Sequence, residues 1–166
     1  MRKLALFIGI ISVLLGLNAC EEIQKELIGE YHYQVSGHVI LNGVRDLILE
    51  PEKGSMEIIK KDDTTLMLIF FAEDGNTYST NATIEEEGLV LDPFYKLLPI
   101  NYYTHESTLL SGTVSVLHEE NYQVVVYGMG QLYDDAIIFT LQYNGEGLNN
   151  GTKLIGKNIT LIAKTK

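Results

Sequence analysis

The feature that most constrains this chain is period-two alternation broken at short intervals by turn residues. Tyr31, Tyr33, Val35, Gly37, Val39 and Leu41 alternate with His32, Gln34, Ser36, His38, Ile40 and Asn42, which places one set on the buried face of a strand. Asn42-Gly43 follows; both residues tolerate φ > 0 and suit a tight hairpin. The chain returns through Val44–Leu49 and breaks at Glu50-Pro51-Glu52-Lys53-Gly54. Further strands are expected over Ser55–Lys60, Leu66–Ala72, Thr77–Ile84 and Leu89–Leu91. The polar stretches between them contain Asp62-Asp63, Asp74-Gly75 and Glu87-Gly88. Connections this short join antiparallel neighbours, because parallel strands need crossovers of about a dozen residues or more.

The exception is Asp92–His105, rich in aromatic and aliphatic side chains but holding Pro93 and Pro99. Two prolines argue against a regular strand or helix, so a long apolar loop is expected, either a plug folded over the barrel end or a partly open binding rim. In the second case Phe94, Tyr95, Tyr102 and Tyr103 are the ligand contacts, since tyrosine pairs a flat apolar face with a hydroxyl. Beyond it, Thr108–His118 and Tyr122–Leu132 are expected to pair across Glu119-Glu120-Asn121, and Ala136–Tyr143 to return across Asp134-Asp135. A loop over Asn144–Gly151 leads to a last strand, Asn158–Lys164. Gly128 and Gly130 interrupt one strand, the signature of a bulge or bend. Strands at hairpin spacing leave two all-β architectures, an antiparallel up-and-down barrel or a two-sheet sandwich. The barrel is the expected fold, because it leaves no edge to protect.

The N-terminus carries a different signal. Met1-Arg2-Lys3 leads into an apolar run, Leu4–Leu17, which ends at Leu17-Asn18-Ala19-Cys20. The run is shorter than the ~20 residues that span a bilayer, and its basic start and small-residue boundary match a secretory signal. Ala19 before Cys20 forms a lipobox, so residues 1–19 are expected to be a lipoprotein signal peptide and Cys20, the sole cysteine, the lipidated residue. Several acyl chains on one cysteine would hold the chain to a membrane at ~0.8 kcal/mol per buried CH₂. Residues 20–28 then form a tether with one helical turn before Gly29, and residues 29–166 the barrel domain. Glu21-Glu22 resembles the export signal of some surface lipoproteins, although in other lineages an acid there marks inner-membrane retention. The expected location is the outer membrane or cell surface.

Removal of Arg2 and Lys3 with the leader takes the net charge from −10 to −12. Such a surface repels phosphate backbones, which excludes nucleic acid as a natural partner.

The opening Leu27-Ile28-Gly29-Glu30-Tyr31 resembles the Gly-x-Trp start of lipocalins, with tyrosine in place of tryptophan. Tyr127-Gly128-Met129-Gly130, Asp134-Asp135, Ile138-Phe139, Tyr143-Asn144-Gly145 and Gly156–Thr160 are similar to small secreted calycin-like lipoproteins. The resemblance implies a calycin-like barrel, with Lys164 as the basic residue of the last strand that covers the opening aromatic.

Catalytic chemistry finds no footing in the sequence. His32 and His38 share a strand face but lie ~20 Å apart at ~3.3 Å per residue, too far to share a metal with His–Zn bonds of ~2 Å. Asp62-Asp63, Glu85-Glu86-Glu87 and Asp134-Asp135 sit where turns need polar residues, without EF-hand spacing. No zincin motif, nucleophile elbow or phosphate loop occurs. The expected function is non-enzymatic, with no cofactor and no metal: a lipid-anchored envelope protein binding a small, partly apolar ligand at the barrel mouth. The alternative is an interaction module that docks a protein or glycan.

Overall fold

The computed structural model describes residues 24–108 and 112–166. The expected leader, Cys20 and the first residues of the expected tether lie outside them. Gln24–Leu27 makes one helical turn, closed by Ile28 N–H donating to the Gln24 carbonyl at 3.1 Å. Ten strands follow: β1 Gly29–Leu41, β2 Arg45–Ile48, β3 Glu52–Lys60, β4 Thr65–Ala72, β5 Thr77–Glu85, β6 Gly88–Leu91, β7 Phe94–Thr108, β8 Gly112–Tyr133, β9 Ala136–Gly147 and β10 Lys153–Thr165. All ladders are antiparallel, and β1 pairs with β10, so the sheet closes into an eight-stranded barrel. The closure removes the sandwich alternative.

Two wall positions are shared between strands, and this shapes the open end. The first half of β1, Gly29–Val35, pairs with β3, and its second half, His38–Leu41, pairs with β2. Likewise β8 meets β6 at Met129 and Gly130, and β7 from Gly112 to Val126. The closed barrel therefore passes into an open trough ordered β2-β1-β10-β9-β8-β7, whose edges β2 and β7 are joined by no ladder among the described residues.

The closed part is filled by side chains. Tyr31, Tyr33 and Val35 of β1 are buried as their alternation requires, against Met56, Ile58, Leu66, Leu68, Phe70, Leu89, Val126, Phe139 and Leu161. Each such side chain contributes roughly 1.5–3 kcal/mol by leaving water. An eight-stranded barrel has an interior of about the volume its inward side chains fill.

Several expectations are corrected. Asp92–His105 is not a loop: from Phe94 it is the edge strand β7. Pro99 is tolerated because of its register. It stands opposite Asn121, whose carbonyl accepts from Leu148 on the β9 side at 2.9 Å. Asn121 thus turns its backbone away from β7, which leaves the nitrogen of Pro99 on the open side, where a lost N–H breaks no ladder bond. Thr108–His118 and Tyr122–Leu132 do not form a hairpin with each other. Thr108 ends β7, and from Gly112 on both stretches belong to the single strand β8, through which the polar Glu119-Glu120-Asn121 runs in regular register with Asn101, Ile100 and Pro99. The Asn144–Gly151 loop shortens to a turn, because β9 continues to Gly147 and β10 starts at Lys153. Gly128 and Gly130 mark no bulge, since the β8–β9 register is unbroken there. They are small because a Cβ at Gly130 would lie 2.5 Å from Phe139 Cε1, and one at Gly128 2.5 Å from the Thr140 carbonyl oxygen. The register shift falls instead between Ser36 and His38, opposite Asn158 with φ 53°. Lys164 pairs through its ammonium with Asp135 at 3.8 Å on the outer surface, whereas Tyr31 is buried and donates to the Leu27 carbonyl at 2.8 Å. The basic cover that lipocalins place over the opening aromatic is therefore not made by Lys164.

Candidate functional site

The barrel wall splits where β7 leaves β5. Up to Asp92 the two sides are fastened: Asp92 N–H donates to the Asn81 carbonyl at 2.9 Å, and the Thr80 hydroxyl donates to the Asp92 carbonyl at 2.7 Å. Beyond Pro93 the ladder stops, because the first residues of β5, Thr77 to Ser79, pair with β4 alone. Side chains fill the wedge instead. Tyr78 stacks between Phe70, at 4.8 Å between centroids, and Phe94, at 5.5 Å.

Above this stack sits a charged cluster. Inward positions of β7 alternate as Phe94, Lys96, Leu98, Ile100 and Tyr102, so Lys96 enters an apolar row, with its side chain 6% exposed. Its ammonium pairs with Glu52 at the start of β3 and lies 4.9 Å over the Tyr78 ring and 5.8 Å over that of Tyr143. Glu52 also accepts from the hydroxyls of Tyr78 and, at 3.1 Å, Tyr33. Burial holds the hydroxyls of Tyr33, Tyr78 and Tyr143 well above the usual tyrosine range, and the negative charge of Glu52 pushes each the same way. Tyr33 and Tyr78 are thereby held as neutral donors to Glu52. The cluster offers no free nucleophile; it is a rigid polar floor with one carboxylate edge reaching the surface.

That edge opens into a cleft of about 370 Å³ between the β2–β3 corner and β7. Leu47, Leu49, Pro51, Leu98 and Ile100 line it, Glu52 forms its floor, and Glu50, Glu73 and Asp74 stand at its rim with Lys53. A smaller hollow of about 230 Å³ in the β5–β7 wedge shares Glu52, Asp74 and Pro99 with it. Farther out, the Arg45 guanidinium of β2 lies 4.5 Å over the Tyr102 ring. Tyr102 stacks on His118 at 4.9 Å, and Thr104 Oγ1 is 2.8 Å from His118 Nε2. This layered contact spans the trough from β2 to β8.

The four expected contact residues divide between two faces, as successive residues of a strand must. Phe94 is buried in the aromatic stack and Tyr102 is half-buried under Arg45, whereas Tyr95 and Tyr103 stand 67% and 65% exposed on the outer face. They do not form one rim. Sequence reasoning missed Glu52, placed in a turn, and Lys96, whose signal was a lone cation in register with inward apolar residues.

No family model matches the chain, and no curated protein sequence does. Among solved structures a redesigned β-barrel aligns with 86% of this chain and 94% of its own, at 14% identity and a TM-score of 0.37. A likeness that slight carries no argument about this chain.

Proposed function

We propose that the protein is a calycin-like, lipid-anchored binding protein of the cell envelope. Cys20 holds it to the outer membrane or cell surface, and the cleft between β2 and β7 receives a small, partly apolar ligand. The observation that carries this reading is the cleft itself. The closed barrel is filled, while at the open end about 370 Å³ is bounded by aliphatic walls and a charged floor, within the size range and polar economy of small-molecule sites. Leu47, Leu98 and Ile100 take the apolar body, and the Glu52 edge orients the polar end.

The test is displacement of an uncharged, environment-sensitive fluorophore from the purified chain. A Leu98→Trp variant should fill the cleft, abolish the fluorescence enhancement and keep the melting temperature within a few degrees. Full probe binding by a folded Leu98→Trp protein would refute the site.

A further inference from the structure

We propose that the open edge of β7 is a docking strand, and that its partner is an extended, basic segment of another protein, which adds to the sheet beside the β2–β7 cleft. The inference goes beyond small-ligand binding and rests on a separate feature, the edge of β7 that no strand other than β8 pairs among the described residues.

The register fixed by Asn121 decides which groups are free. Because the Asn121 backbone faces β9, the alternation of an antiparallel ladder turns the N–H and C=O of Tyr95, Leu97, Asn101 and Tyr103 away from β8. Pro99 supplies only its carbonyl. Natural sheets protect such an edge with outward charge, proline or a covering element. Here the only Lys, Arg, Asp or Glu between Phe94 and His105 is Lys96, and its ammonium is drawn inside to Glu52. The outward side chains are Tyr95, Leu97, Pro99, Asn101, Tyr103 and His105, all exposed, and the large ones, Tyr95, Leu97 and Tyr103, are more than half exposed. Pro99 is the single gatekeeper. A long edge without outward Lys, Arg, Asp or Glu from Phe94 to His105, paired by no second strand among the described residues, is suited to strand addition, in which main-chain hydrogen bonds hold the peptide and alternate side chains select it.

Charge selects the occupant. Glu50, Glu73 and Asp74 stand beside the cleft with only Lys53 to offset them, in a chain of net charge −10. A second copy docking edge to edge would bring two such rims together. A segment alternating apolar and cationic residues would instead lay its apolar side chains on Leu98 and Ile100 and its cations on the rim.

The test uses the purified full-length chain in uncharged detergent, with a short peptide alternating valine and lysine and a control with glutamate in place of lysine. Hydrogen exchange at the Leu97, Asn101 and Tyr103 amides should slow at least about tenfold with the lysine peptide and stay unchanged with the glutamate peptide. Leu97→Pro removes one open-edge donor, as Pro99 already does, and should weaken binding about tenfold or more at an unchanged melting temperature. Should that variant melt early, two peptides N-methylated on alternate residues, one set and then the other, decide the matter on the wild type. One of them must lose binding. Binding without protection of these amides, equal affinity for both N-methylated peptides, or protection that rises with protein concentration in the absence of peptide would overturn the proposal, the last by assigning the edge to a second copy.

Discussion

Neutralising Glu52 should harm this protein more than removing Lys96, although the two are partners in one ion pair. In Glu52→Gln the Lys96 ammonium keeps its position, 6% exposed, with no carboxylate beside it; stranding a buried charge in this way costs about 3–5 kcal/mol. In Lys96→Met the carboxylate of Glu52 remains, 21% exposed and still accepting from Tyr33 and Tyr78, so the cost falls to roughly 1–2 kcal/mol. The double variant carries no charge in the cluster, and the amide oxygen introduced by Glu52→Gln still accepts from both phenols, so it should lie within about 2 kcal/mol of the wild type. Lys96→Met should therefore stabilise the Glu52→Gln background while destabilising the wild type. Denaturant unfolding of the four proteins at neutral pH measures this coupling. In thermal melts the Glu52→Gln loss corresponds to about 10 °C for a domain of this size. Additive costs, or a Glu52→Gln variant no weaker than Lys96→Met, would show that the pair is solvated and that Lys96 does not fasten β7 to β3.

Cys20→Ser should abolish incorporation of an alkyne fatty acid, and labelling that persisted would remove the anchor. Tyr31, Tyr33, Tyr78, Tyr122 and Tyr143 all have hydroxyls raised above the usual range, chiefly by burial. A raised native pKa gives stability that is full below the unfolded value of ~10 and lost as pH climbs above it. Absorbance titration should show their tyrosinate signal rising only with alkaline unfolding; early, reversible ionisation of all ten tyrosines would contradict the filled barrel. Gly130→Ala should cost about 1–3 kcal/mol, since the added carbon meets the Phe139 ring, and an unchanged melting temperature would show that the strands are less closely packed there. Tyr102→Ser should cost about 1–3 kcal/mol through loss of the Arg45 and His118 contacts, whereas Tyr103→Ser should stay within about 0.5 kcal/mol; equal losses would place both on one face.

The sequence by itself determined the strand faces, because a period of two is a local property that needs no partner to be read. Tyr31, Tyr33 and Val35 point inward as their alternation requires, and Asn42 and Gly43 adopt the positive φ that their residue types favour. The Asp62 turn likewise closes on itself, with its carboxylate accepting from Thr64 N–H at 3.0 Å. The Asp92–His105 reading failed because proline's meaning depends on which side of a strand carries a neighbour, and only the pairing of Pro99 with Asn121 shows that its missing donor faces no ladder. Glu52 and Lys96 stand 44 positions apart, so no local pattern joins them. Their meeting follows from β3 and β7 reaching the same point of the split wall. Closure of the barrel, the parting of β7 from β5 and the charged floor this exposes are properties of strand pairing across the whole chain, which is why tertiary structure alone decided where the cleft lies.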